Sequence, residues 1–145
     1  MKVSIEEGFT ETEVIIKCPA ITEEIHNLKA YLLSGSSSKL SVTKDGSVYM
    51  VDKGTVLYFE SVDRRTFVYT ENDVYEAALK LYEIEGVLGA VEFFRSSKSQ
   101  VVNIAQIESL RPNFDGRLEL TMKNGEEVIV SRQYAKILKE RLRLK

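Results

Sequence analysis

Residues 93–104 read Phe93-Phe94-Arg95-Ser96-Ser97-Lys98-Ser99-Gln100-Val101-Val102-Asn103-Ile104, in which a polar, basic segment separates two apolar runs. Short apolar runs bounded by polar residues are typical of β-strands joined by a loop. The same pattern recurs on both sides of this segment. The sequence therefore predicts a mainly β protein.

Turn signals support this interpretation at two places. Asp45-Gly46 lies between the alternating pair Leu40 and Val42 and the apolar run 48–51, and Asn124-Gly125 lies between the alternating stretch 118–122 and Val128-Ile129-Val130. Both dipeptides favour the positive backbone angles of a hairpin turn. Two hairpins are predicted there.

The remaining segments predict further strands and a few short helices. Val56–Phe59 and Phe67–Tyr69 are expected to be strands. Segment 73–85 is ambiguous, because its apolar residues fit one helical face and equally a strand at Val74-Tyr75 followed by a helix from Ala78. Ser131 is a suitable N-cap for a final amphipathic helix. The predicted fold class is α+β, mainly β, with several small antiparallel sheets and short helices.

Residues 1–38 are predicted to form a separate strand and helix extension, followed by a domain spanning 39–145. Val3 with Ile5 and Val14-Ile15-Ile16 favour two short strands. Thr22 can cap a helix that begins with two glutamates. The serine-rich stretch 34–38 has the composition of a linker, so the boundary is placed there.

Composition argues against several classes of protein. The chain has no long apolar run, and its acidic start does not resemble a signal peptide, so a cytoplasmic location is expected. The single Cys18 cannot form an internal disulfide and is expected to be a small packed residue. His26 has no companion at metal-ligand spacing, so neither a metal nor another cofactor is expected.

Enzymatic function is not expected either. Two matches to the S-x-x-K pattern, at Ser36 and Ser41, lack the companion motifs of serine acylases, and the first falls in the predicted linker. The chain contains no glycine-rich phosphate loop. We therefore expect no small-molecule substrate.

Charge is distributed unevenly along the chain. The whole has a net charge of −2, yet residues 95–145 hold eleven basic and six acidic residues, a net of +5, whereas residues 1–94 carry a net of −7. Such polarity suggests an anionic partner for the basic part.

Three polar, basic clusters lie between a predicted strand and the next element: residues 63–66, 95–100 and 131–134. Arginine and lysine neutralise phosphates and reach guanine edges, while serine, threonine and glutamine bond phosphate oxygens. The composition suits duplex DNA, although three ordinary solvated turns would look similar.

Residues 93–107 resemble the core motif of the LytTR DNA-binding domain, F-x-R-x-x-[KR/N]-S-x-[VI]-V-N-x-x-x-I. Asn124-Gly125 and Val130-Ser131-Arg132-Gln133-Tyr134 are similar to the end of the family's pattern. Upstream, residues 56–61 resemble its I-x-y-i-E-a strand, and residues 81–88 its short helix. The resemblance covers roughly residues 40–142, with its elements in order.

This resemblance implies a fold whose loops enter successive major grooves of duplex DNA. The implied base readers are Arg132, Lys98, and either Arg65 or Arg64, because the first loop is shorter than in some relatives. The chain departs from members that have His or Asn at the first two places, so the resemblance carries over the loop positions but not the preferred bases. The residues expected to position the phosphate backbone are Arg64, Ser97, Ser99, Ser131 and Gln133.

The N-terminal part is similar to the stand-alone subgroup of the family, which lacks a receiver domain and is often antagonised by a small membrane protein. The resemblance therefore implies a transcription regulator that binds DNA as a homodimer, with such an antagonist as a further partner. The alternative is a protein-interaction module on the same scaffold that sequesters another regulator without binding DNA. The acidity of residues 1–94 favours this alternative.

Overall fold

The computed structural model describes residues 1–33, 39–88 and 92–144. Within these ranges the elements follow in the order α1 (Glu23–Leu33), β1 (Lys39–Lys44), β2 (Ser47–Asp52), β3 (Tyr58–Val62), β4 (Arg65–Tyr69), β5 (Val74–Ala77), α2 (Leu81–Val87), β6 (Phe93–Ser97), β7 (Gln100–Asn103), β8 (Ile107–Pro112), β9 (Leu118–Met122), β10 (Glu127–Val130) and α3 (Arg132–Arg141). Short 3-10 helices at Lys53–Thr55 and Ile104–Gln106 precede β3 and β8.

The strands form two antiparallel sheets. The larger has seven strands in the order β2-β1-β5-β4-β3-β7-β6, and the smaller has three in the order β10-β9-β8. In the larger sheet Phe59 of β3 lies opposite Val68 on one side and Val101 on the other. The predicted class, mainly β with antiparallel sheets and short helices, is confirmed.

Two hydrophobic clusters lie on opposite faces of the β6–β7 hairpin. Phe93 and Val101 belong to the first cluster with Ile84, whereas Phe94 and Val102 belong to the second, with the small sheet and α3. Neighbouring residues of a strand point to opposite faces, so one hairpin supplies both clusters. This explains why residues 93–104 contain adjacent apolar residues rather than strict alternation.

Both predicted hairpins are present, with different turns. Asp45 and Gly46 have φ angles of 51° and 79° and join β1 to β2 as a two-residue turn. At Asn124-Gly125 the loop is longer: Met122 receives a hydrogen bond at its carbonyl from the Gly125 amide, and only Gly125, with φ of 91°, is left-handed. Hairpins of this kind combine a turn with a bulge.

The ambiguous segment 73–85 consists of a strand followed by a helix. β5 ends at Ala77 and α2 begins at Leu81. Val74–Ala77 pairs with residues 66–69 of β4, and these backbone hydrogen bonds favour the strand. The Glu83 side chain accepts a hydrogen bond from the Lys80 amide at 3.1 Å, which stabilises the start of the helix.

The prediction of two strands near the N-terminus is wrong. Residues 1–22 contain no strand, and Val3, Ile5, Val14 and Ile15 are largely exposed. β-Branched residues favour extended backbone, but a strand also requires a neighbour that pairs with it, and no described segment does so here.

The predicted helix after this segment is present as α1. The Thr22 hydroxyl accepts a hydrogen bond from the Ile25 amide at 3.4 Å, and Asn27 of α1 lies against Gly86 of α2. Cys18 is half-buried. The proposed linker 34–38, with Ser36, lies outside the described residues.

Candidate nucleic-acid interface

The turn between β6 and β7 presents the second basic cluster. Lys98 and Ser99 are exposed at its tip. Arg95 is engaged inside the turn: Nη1 lies 2.7 Å from a carboxylate oxygen of Glu85, Nε donates to the Ser97 carbonyl at 2.8 Å, and Nη2 to that of Lys98 at 2.6 Å. Arg95 therefore shapes the turn, while Lys98 remains available to a ligand.

A backbone hydrogen bond connects this hairpin to the third cluster. The Ser131 amide donates to the carbonyl of Ser96 at 3.0 Å. Ser96 is fully buried, and its hydroxyl donates to the Gln100 carbonyl at 3.3 Å. These contacts fix the start of α3 beside the β6–β7 turn.

Ser131 occupies the predicted N-cap position of α3, but its hydroxyl makes no capping hydrogen bond. The first amide bonded within the helix is that of Ala135, which donates to the Ser131 carbonyl at 2.7 Å. The amide N–H groups of the first helical turn have no partner within the helix and point out of its N-terminal end. The helix dipole makes this end electropositive. Arg132 and Gln133, both exposed, extend from this turn.

The second and third clusters line one surface groove of about 480 Å³. Among the described residues, neither Lys98 nor Arg132 lies within ion-pair distance of a carboxylate. The groove is lined by Ser97, Lys98, Ser99, Arg117, Ser131, Arg132, Gln133 and Tyr134.

Arg117 is the member of this groove that the sequence analysis did not select. It follows the β8–β9 turn, in which Gly116 has φ of 90° and lies against the Arg132 side chain; a Cβ there would be 3.5 Å from Cγ of Arg132. The dipeptide Asp115-Gly116 is a turn signal, so an arginine directly after it could have been found from sequence. Its only ion pair among the described residues is a 3.7 Å contact with Asp115.

The first cluster lies beside the second. Asp63 and Arg64, with φ angles of 51° and 66°, form the two-residue turn between β3 and β4. The Ser61 amide donates to the Ser99 carbonyl at 2.8 Å, which brings this turn next to the β6–β7 turn. The Arg64 side chain is exposed.

Arg65 is expected from the sequence to lie in a loop, but the structure places it in a strand. It is the first residue of β4, and its Nε and Nη2 donate to the two carboxylate oxygens of Glu76 at 2.9 and 2.7 Å. Its guanidinium carbon lies 5.2 Å from the ring centre of Phe67. Hydrogen bonds from Arg65 lower the pKa of Glu76, so the pair is charged at neutral pH.

The described part of the chain contains no candidate metal site and no candidate membrane-spanning helix. Residues 1–33, 39–88 and 92–144 contain no group of His, Cys, Asp and Glu suited to a metal ion. Within the same ranges, no helix has both the length and the apolar character to cross a bilayer.

A mostly β domain that presents exposed cations from adjacent turns has the features of a nucleic-acid-binding protein. Comparison with known proteins gives the family. Residues 46–143 match the model of the LytTr DNA-binding domain, and the chain belongs to that family.

Relatives and a solved structure agree with this assignment. The chain is 33% identical over 122 residues to the sensory transduction protein LytT of Bacillus cereus, and spans 50% of that protein's length. It is 28% identical over 134 residues to an uncharacterized HTH-type transcriptional regulator of Staphylococcus aureus strain NCTC 8325, covering 92% of this chain and 90% of that one. The LytTr DNA-binding domain of a putative methyl-accepting/DNA response regulator from Bacillus cereus superposes with a TM-score of 0.70 at 29% identity, covering 74% of this chain and 98% of that domain.

Proposed function

We propose that the protein is a sequence-specific transcription regulator that binds repeats in promoter DNA by inserting turn residues into the major groove. The observation that carries this proposal is that Lys98 and Arg132, 34 residues apart in the chain, line the same groove. Membership of a DNA-binding family makes duplex DNA the anion that this groove fits best.

Arg132 and Lys98 are assigned to base edges. Arginine bonds guanine O6 and N7 with two donors, and lysine reaches the same acceptors. In the first cluster, Arg64 is exposed at the tip of its turn, whereas Arg65 is held by Glu76. We therefore assign the first contact to Arg64, and Arg65 joins it only when Glu76 releases the guanidinium.

Contacts with the phosphate backbone are assigned to the polar residues around these cations. Hydroxyl, amide and backbone N–H groups fix the register of a protein on DNA without reading its sequence. The first turn of α3 offers such N–H groups at its electropositive end. The residues with this role are Ser97, Ser99, Arg117, Ser131 and Gln133.

The local charge of this surface outweighs the net charge of the chain. The groove contains Lys98, Arg117 and Arg132, and among the described residues its lining includes no acidic side chain, while Asp115 contacts Arg117 at 3.7 Å beside it. Over a Debye length of about 8 Å at physiological ionic strength, a phosphate interacts mainly with such nearby charges. We therefore expect the acidic residues of the N-terminal part to weaken DNA binding at this groove less than its own cations strengthen it.

The oligomeric state that we propose follows from the repeated DNA target. Binding to promoter repeats in the cytoplasm favours a homodimer, and the exposed apolar side chains of residues 1–22 offer a surface for a second copy or for a small membrane-protein antagonist. Small-molecule substrates, cofactors and catalysis have no part in this proposal.

The test is a mobility-shift titration on the protein's own promoter. Arg132→Ala and Lys98→Ala are each expected to weaken binding roughly tenfold or more, since a lost bidentate base contact costs about 1–3 kcal/mol. Lys123→Ala is the matched control, because Lys123 is exposed in the β9–β10 turn, at the end of β10 away from α3. Equal affinities for all four proteins would rule out this docking mode.

A second candidate function is a protein-interaction module that sequesters another regulator. The observation favouring it is the exposed apolar set in the acidic N-terminal segment: Met1, Val3, Ile5, Phe9, Val14, Ile15 and Ile21. A complex with protein that is insensitive to salt, together with no binding to promoter DNA, would select it.

A further inference from the structure

Phe114 is the most exposed large apolar side chain among the described residues of 39–144. Its relative exposure is 106%, so none of the other described residues covers the ring. We propose that Phe114 is an apolar DNA contact beside Arg132, which packs on the deoxyribose and base edges next to the phosphates held by the groove. This inference rests on the proposed function.

The turn that carries Phe114 is well defined. The Asn113 amide donates to the Arg117 carbonyl at 2.8 Å, and the Gly116 amide to the Asn113 carbonyl at 3.2 Å. The Asp115 carboxylate accepts a hydrogen bond from the Arg117 amide at 3.1 Å. A side chain on such a closed turn loses little backbone freedom on binding, which favours contact with a ligand.

The turn is also adjacent to the proposed interface. Gly116 lies against Cγ and Cδ of Arg132, and Arg117 lines the groove. Phe114 is two residues from the glycine that touches a proposed base reader. A duplex that seats Arg132 in its major groove would therefore approach the turn that carries Phe114.

The chemistry of the ring suits this position. Phosphates attract cations, whereas the thymine methyl groups of the major groove offer apolar surface to a phenyl group. Burial of an aromatic ring is favourable without charge neutralisation. The contribution of Phe114 is therefore independent of salt, unlike that of the neighbouring arginines.

The experiment measures the affinity of the full chain for promoter duplex at several salt concentrations, by fluorescence anisotropy. Phe114→Ala is expected to bind about tenfold more weakly with an unchanged salt slope, as for other aromatic contacts to nucleic acid. Phe114→Leu retains apolar surface and is expected to keep most of the affinity. Arg132→Ala should weaken binding and relax specificity, whereas Arg117→Ala, which removes a proposed phosphate contact, should lower the salt slope by about one.

Met50→Ala is the control, because Met50 is 61% exposed on β2, at the sheet edge opposite β6. Its affinity should equal that of the wild type. Wild-type affinity for Phe114→Ala, with Arg132→Ala impaired, would overturn this inference and leave the proposed function intact. Failure of the wild type to bind duplex would overturn the proposed function itself.

The same proteins are compared by sedimentation without DNA. An unchanged oligomeric state for Phe114→Ala supports the DNA contact. A loss of self-association in Phe114→Ala would assign the ring to a protein interface instead and would overturn the inference.

Discussion

Arg65 and Glu76 form a bidentate ion pair across the β4–β5 ladder, with both donor distances below 3 Å. The guanidinium side chain is 60% exposed, so the pair lies at the surface. Because Arg65 belongs to a cluster proposed to bind DNA, Glu76 competes with phosphate for it.

Removing the charge of Glu76 is expected to strengthen DNA binding. Glu76→Gln frees the Arg65 guanidinium and deletes a negative charge near the interface, so affinity should rise roughly fivefold and the salt slope should steepen. Titration at two salt concentrations measures both. Asp73→Asn is the control, since Asp73 pairs with Lys44 at the other end of β5; an equal gain in that variant would contradict the competition.

Loss of Arg95 is expected to loosen the β6–β7 turn. Its hydrogen bonds to the Ser97 and Lys98 carbonyls and its ion pair with Glu85 disappear in Arg95→Met, which retains an apolar stem. We expect about 2 kcal/mol less stability by urea denaturation, because charged hydrogen bonds in a half-buried site are lost. DNA affinity should fall more on specific than on non-specific duplexes, since the displaced turn carries Lys98, which is assigned to base edges. The exposed Lys123→Met, in the β9–β10 turn, should leave both unchanged.

Asn103 is a buried polar residue that connects β7 to the 3-10 helix before β3. Its Nδ2 donates to the Val56 carbonyl at 2.9 Å, and its Oδ1 accepts from the Ala105 amide at 3.1 Å. Asn103→Ala leaves these buried groups unsatisfied and should cost about 2 kcal/mol. Gln106→Ala, which removes a more exposed bond to Gly54, should cost clearly less. Equal midpoints of chemical unfolding in the two variants would contradict this reasoning.

Three surface carboxylates should make the stability of the fold depend on pH in the acidic range. Hydrogen bonds from basic partners lower the pKa values of Asp73, Glu76 and Glu119 in the folded state. A lowered pKa stabilises the fold above the unfolded value, which is about 4, and this stability disappears as the pH falls through the folded value. Urea midpoints should therefore be flat above about pH 6 and fall below about pH 4. In the double variant Asp73→Asn, Glu76→Gln the fall should be shallower.

Local features could be predicted well from sequence. The turns at Asp45-Gly46 and Asn124-Gly125 and the helix after Ser131 depend on neighbouring residues, and all three are present. The clusters at 95–100 and 131–134 meet because β10 returns the chain to β6, where the Ser131 amide donates to the Ser96 carbonyl, and the sequence indicates this only through its resemblance to a known family.

Long-range features could not be predicted in the same way. Glu76 captures Arg65 only because β4 and β5 pair in a particular register, which no local signal specifies. The N-terminal β-branched residues have strand propensity, but the absence of a pairing strand among the described residues depends on the whole fold. Arg117 reaches the groove through the contact between Gly116 and Arg132, two residues that lie on different elements.

The side chains of Arg64, Lys98 and Arg132 all stand outside the two hydrophobic clusters. Under the proposed function, substitutions at these tips change which bases are contacted while leaving the scaffold almost as stable as before. Proteins with this scaffold can therefore acquire new target genes through single substitutions at the turns. The same substitutions offer a route to engineer their DNA specificity.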